Sequence, residues 1–95
     1  MAFVSLVTHK VKDFAAWKKV YDSVEGLRKR HGIIGAAVSQ ALDDPNLVTV
    51  YHQAETRAEL QAFAASPELK AAMQQAGVAG QPALRFYDSL PGTVY

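Results

Sequence analysis

Two segments of this chain alternate between aliphatic and polar side chains, and that alternation limits the folds open to it more than any other feature. Side chains along a strand point to opposite faces in turn. In residues 3–9, Ser5 and His9 are therefore read onto one side, and in residues 47–52 Thr49 and Tyr51 are read the same way. The other side, Val4 and Leu6 with Val48 and Val50, is purely aliphatic, as a surface covered by helices must be. The expectation is a sheet with one helix-covered face and one face of Ser, His, Thr and Tyr that forms the wall of a pocket. Phe3, Val7 and Leu47 are read among those polar groups, so the second face needs a cover too.

Between these segments the chain is punctuated for helices. Asp13 suits an N-cap, and Phe14, Trp17, Val20, Tyr21, Val24 and Leu27 recur at three- and four-residue spacing. His31 and Gly32 end that run, and Gly26 is a weak point inside it. Residues 35–41 read as a second strand and residues 43–46 as the turn into the third. Thr56 and Glu59 have the spacing of a capping box, with Leu60, Phe63 and Ala64 on the buried stripe. Ser66 and Pro67 restart the helix, whose stripe continues through Leu69, Ala72, Met73 and Ala76 to Gly77. A last strand is expected over residues 83–89, and the tail beyond it reads as an arm or as disordered.

Ninety-five residues allow one domain, 1–95, and a 49% hydrophobic, 20% charged composition is that of a globular chain. A formal charge of +1 argues against nucleic acid as a partner, because the basic residues 10–30 are interleaved with Asp13, Asp22 and Glu25. Without cysteine there is neither a disulfide framework nor a thiolate site. No leader pattern and no run of about 20 apolar residues is seen, so the expectation is a soluble cytoplasmic protein with no membrane role.

The order β-α-β-β-α-β is that of a ferredoxin-like α+β fold with an antiparallel sheet. The expected strand order is four-one-three-two, with strands one and three read as parallel and central. That reading brings His9, Tyr51 and Arg85 together at one edge as candidate catalytic residues, with Ser5, Thr49, Tyr87 and Ser39 as candidate substrate-binding residues. Each has a plainer reading: His9 as a hydrogen-bonded strand-end residue, Tyr51 and Tyr87 as interface residues, Arg85 as the ion-pair partner of Asp88 or Glu55. His52 is placed on the helix side as a structural histidine, and His31 at a helix end. The three histidines lack metal-ligand spacing and no glycine-rich phosphate loop is present, so no metal and no cofactor is expected.

Residues 9–18, the turn Asp43-Asp44-Pro45-Asn46, and Ser66-Pro67-Glu68-Leu69-Lys70 with Met73 and Gly77 resemble the dimeric α+β barrel superfamily. The chain is similar to its antibiotic biosynthesis monooxygenase-like members and, more loosely, to the RedY-like proteins of prodiginine clusters. The resemblance implies a homodimer, two sheets face to face, and a small-molecule substrate. Related oxygenases often place Trp and Asn in the barrel, whereas Trp17 here belongs to a helix stripe and Asn46 to a turn. The function expected is therefore a cofactor-independent enzyme acting on an aromatic or polyketide-like secondary metabolite by proton transfer, as a cyclase or isomerase. His9 would be the acid–base group, with Tyr51 or Arg85 stabilising an enolate or oxyanion. The alternatives are a cofactor-free monooxygenase and a non-catalytic dimeric ligand-binding or interaction protein.

Overall fold

In the computed structural model, which describes residues 2–90, helix starts follow the capping residues. Asp13, with extended φ of −152°, accepts from the Ala16 amide at 3.1 Å and opens α1 (Phe14–Ser23). A second helix, α2 (Glu25–Arg30), follows after a break at Val24. The break lies two residues before the glycine expected to cause it. Ser23 Oγ donates to the Val20 carbonyl at 2.7 Å, occupying the acceptor that the Val24 amide would use in a continuous helix. That amide instead bonds to the Tyr21 carbonyl at 3.3 Å.

Thr56 accepts from the Glu59 amide at 3.2 Å and starts α3 (Arg57–Ala64). Ser66 caps α4 (Pro67–Gln75), which has proline in its first turn. The strands are β1 (Ala2–Val11), β2 (Ile33–Ala41), β3 (Asp44–Ala54) and β4 (Val78–Ser89), in spatial order β2-β3-β1-β4. All neighbours are antiparallel, giving a ferredoxin-like α+β fold. The expected outer tail after residue 90 lies outside the described residues.

The parallel pairing expected of the first and third strands is corrected here: β1 and β3 are antiparallel, with Leu6 opposite Tyr51 and His9 opposite Val48. The helical crossover returns β2 parallel to β1, and the hairpin then reverses the chain into β3. The hairpin loop is Leu42 and Asp43; Pro45 and Asn46, expected in the turn, already belong to β3.

The helices cover one face only. Trp17 is buried with Val11, Val48, Val50 and Ala76 in one apolar cluster. Leu27, Ile33, Ala54, Leu60 and Phe63 form another. Edge strand β4 is left partly uncovered, with Leu84 and Phe86 exposed although their register puts them on the helix side.

Gly32 follows the end of α2 with φ of +79°, and a Cβ there would collide with the Glu59 carboxylate. Left-handed backbone costs an L-residue roughly 1–2 kcal/mol. Gly32→Ala should therefore lower unfolding free energy by about that amount in urea titrations, and an unchanged midpoint would contradict the strained turn.

Candidate functional site

Register sorts the candidate residues into two groups. Tyr51 and Arg85 both lie opposite Leu6, on either side of it, on the face away from the helices. Their Cα atoms are thus about 10 Å apart, two strand spacings. Tyr87 beside Val4 and Ser39 beside Thr49 share that face. The polar groups there largely satisfy each other: Thr8 and Thr49 hydroxyls lie 2.9 Å apart, and Tyr51 donates to Gln53 Oε1 at 3.2 Å. Among the described residues Arg85 makes no ion pair, so the pairing with Asp88 or Glu55 is absent.

His9 and Ser5 are corrected to the opposite face. Ser5 pairs with His52 and His9 with Val48, and all four are buried beneath the helices. Phe3 and Val7 belong to that side too, packed against the two core clusters, while Val4 and Leu6 face away. Both sides of β1 mix apolar and polar residues, so alternation alone does not fix which is inside. Lys10, exposed and ion-paired with Asp44, marks the even-numbered side as outward.

His9 is only 5% exposed, its ring edge-on to Trp17 at 5.6 Å. Among the described residues neither ring nitrogen has a hydrogen-bond partner, and burial lowers its pKa from the ordinary imidazole value. β4 departs from regular pairing at this level: Thr8 pairs with Ala83 and Lys10 with Ala79, so Gly80, Gln81 and Pro82 stand against His9 alone. Gly80 carries φ of +74°, and proline has no amide to donate. Bulges disrupt the ladder locally and are over-represented at sheet edges and beside active sites. Trp17 stacks between Phe14 and Tyr21, at centroid distances of 5.8 and 5.2 Å. Asn46 accepts from the Phe14 amide at 3.0 Å, which ties the start of α1 to β3.

A second polar group joins Ser5, read as a substrate-binding candidate, and His52, read onto the helix side, with Arg28, which the sequence reading missed. The row formed by Ala36, His52 and Ser5 crosses the sheet between the two apolar clusters. Near it Arg28, 8% exposed, donates to the Tyr21 carbonyl at 2.8 Å and stacks on the Tyr21 ring at 4.0 Å. Its position on the buried stripe with Tyr21, Val24 and Leu27 was the available signal. His52 lies edge-on to Phe63 at 4.9 Å, and burial, with the Arg28 charge second, pushes its pKa down to about 4.

Among the described residues no three His, Asp or Glu side chains converge in a way that could hold a metal, and no helix is long and apolar enough to cross a membrane. An open groove of about 630 Å³ between α2 and α4 carries the Arg30–Glu68 ion pair on its wall. A cleft of about 340 Å³ between α1–α2 and β2 is lined by Tyr21, Arg28 and Ala36.

The sequence profile of the antibiotic biosynthesis monooxygenase family matches residues 8–75, most of the described chain, and the protein belongs to that family. No curated protein matches it significantly in sequence. A Bordetella bronchiseptica protein bearing the family's name superposes with a TM-score of 0.80 at 16% identity, over 95% of this chain and 98% of that one. A Nitrosomonas europaea counterpart gives 0.79 at 20% identity, over 98% and 94%. SnoaB of Streptomyces nogalater, a cofactor-independent oxygenase, gives 0.78 at 10% identity, over 96% and 95%. At these identities the likeness is one of fold.

The depressed His52 pKa has a direct consequence for stability. Above pH 6.5 the ring is neutral in both states; below it the unfolded chain takes up a proton that the folded chain refuses until about pH 4. Stability should fall by about 3 kcal/mol across that window from this group. Urea titrations at pH 7.5 and 4 should show a smaller loss in His52→Gln than in the parent, and equal losses would rule out a neutral buried ring.

Proposed function

We propose that the protein is a homodimeric, cofactor-independent enzyme that acts on a small aromatic or polyketide-like metabolite between its sheet and its helices, with His9 as the acid–base group. The observation that carries this reading is the His9 imidazole, buried, neutral and without a partner on either nitrogen. Buried polar groups are nearly always hydrogen-bonded, and a native exception is explained by a bound water, ion or ligand, by strain, or by a catalytic role. A neutral imidazole of lowered pKa accepts a proton from an acidic C–H or O–H and returns it elsewhere, which is the chemistry of cyclisation and isomerisation. The bulge at Gly80, Gln81 and Pro82 interrupts the regular pairing directly beside His9.

The free face then serves assembly. Leu6 and Tyr87 are exposed there at 37% and 42% in the single chain, and the mutual hydrogen bonds of Thr8 with Thr49 and Tyr51 with Gln53 leave a surface that a second sheet can cover at little polar cost. Tyr51, Arg85, Ser39, Thr49 and Tyr87 are assigned to that interface, where tyrosine and arginine are favoured. Light scattering at micromolar concentration should give twice the chain mass, and Leu6→Glu should give the monomer. A folded parent that remains monomeric would remove the barrel from the account.

Family membership favours a second reading, cofactor-free monooxygenation of the same kind of substrate. An activated methylene becomes a carbonyl: one atom of dioxygen enters the carbon, the other leaves as water with the two methylene hydrogens, and no further reductant is required. His9 would remove the first of those protons. A panel of anthrones and aromatic β-diketones, assayed with and without oxygen, separates the readings. Proton transfer should proceed anaerobically to a product isomeric with the substrate or differing from it by water. Under either chemistry His9→Ala should lower turnover by about 10²–10⁴-fold while the dimer persists; a variant of full activity would make His9 structural.

A further inference from the structure

We infer that Arg28, with the Ala36–His52–Ser5 row behind it, forms a binding subsite for the anionic oxygen of a planar aromatic molecule, a carboxylate or an enolate. Three observations meet there. Arg28 is more than nine-tenths buried, yet among the described residues it has no carboxylate partner. Glu25, one turn before it, pairs instead with Lys29 at 3.5 Å. A buried cation without a counter-ion is a costly arrangement, and an anion that enters beside it removes that cost.

Geometry adds selectivity for shape. The Arg28 Cζ lies over the Tyr21 ring, 4.0 Å from its centroid, so a second planar group meets a cation–aromatic surface and, beside it, N–H donors matched to carboxylate or enolate oxygens. Among the described residues one Arg28 nitrogen is engaged, by the Tyr21 carbonyl. The cleft that Arg28 lines is of ligand size at about 340 Å³, and its β2 wall runs from Ile33 and Ile34 to the small residues Gly35 and Ala36. Ala36 is also the strand neighbour of His52, which is in turn the neighbour of Ser5. From Ala36 on the cleft wall the row continues to His52 and Ser5, which lie buried between the two apolar clusters.

This subsite rests on the reading of the sheet–helix layer as the place of chemistry and gives its substrate a charge and a shape. The test uses 2-naphthoate, with 2-naphthamide as its uncharged counterpart, titrated into the full-length protein by calorimetry. The carboxylate should bind saturably and at least ten-fold more tightly than the amide, and Arg28→Gln should abolish that preference. Ala36→Leu, which fills the cleft from an exposed strand position and keeps the arginine, should weaken 2-naphthoate at least ten-fold even if Arg28→Gln does not fold. The subsite is read by the acid-over-amide preference in binding and the acid–base assignment by the turnover of His9→Ala, so the two fail separately. Equal binding of acid and amide, or undiminished 2-naphthoate binding in Ala36→Leu, would overturn the subsite.

Discussion

A four-stranded sheet has two faces, and this chain has helix enough for one. The rest of the structure follows from which side chains lie under that cover. Trp17, buried against Val48 and Val50, fixes α1 over the even-numbered side of β3 and, through the β1–β3 register, over the odd-numbered side of β1. Truncating a buried aromatic of this size costs about 3–5 kcal/mol, a large part of the stability of a domain this small. The same register carries His9, Ser5 and His52 into the interlayer and leaves Tyr51, Arg85 and Tyr87 outside.

That division assigns different work to the two faces. Outside, polar side chains find one another and leave half-exposed tyrosines and aliphatics, the composition of a surface that another sheet can cover. Inside, imidazoles and a guanidinium sit among hydrocarbon with few partners. Desolvation there keeps histidine neutral and strengthens any charge interaction a ligand brings. In a family whose relatives share this fold at 10–20% identity, chemistry is decided by such local environments rather than by the backbone.

Much of this was legible in the residues. Asp13, Thr56, Ser66 and Pro67 announce their helices because capping is local chemistry, and the order of elements suffices for the ferredoxin-like topology. The sidedness of β3 was readable because its inner residues, Val48 and Val50, contrast with Thr49 and Tyr51. β1 offered no such contrast, with Ser5 and His9 interspersed among Phe3, Val7 and Val11, and only the outward Lys10 discriminates. The break at Val24 depends on one hydroxyl, that of Ser23, competing for one carbonyl, and β4 runs five residues further toward its start than its alternation indicates because Gly80 and Pro82 sit in a bulge. Arg28 was signalled only by its place on the buried stripe with Tyr21, Val24 and Leu27; its lack of a counter-ion is a property of three dimensions.

The central claim is that ligands enter between helices and sheet, while the free face belongs to the second protomer. Intermolecular nuclear Overhauser effects from a bound planar aromatic acid test it most directly. The account predicts cross-peaks from ligand protons to Tyr21, Ala36 and His52 and none to Tyr51 or Tyr87; cross-peaks confined to the two tyrosines of the free face would contradict it.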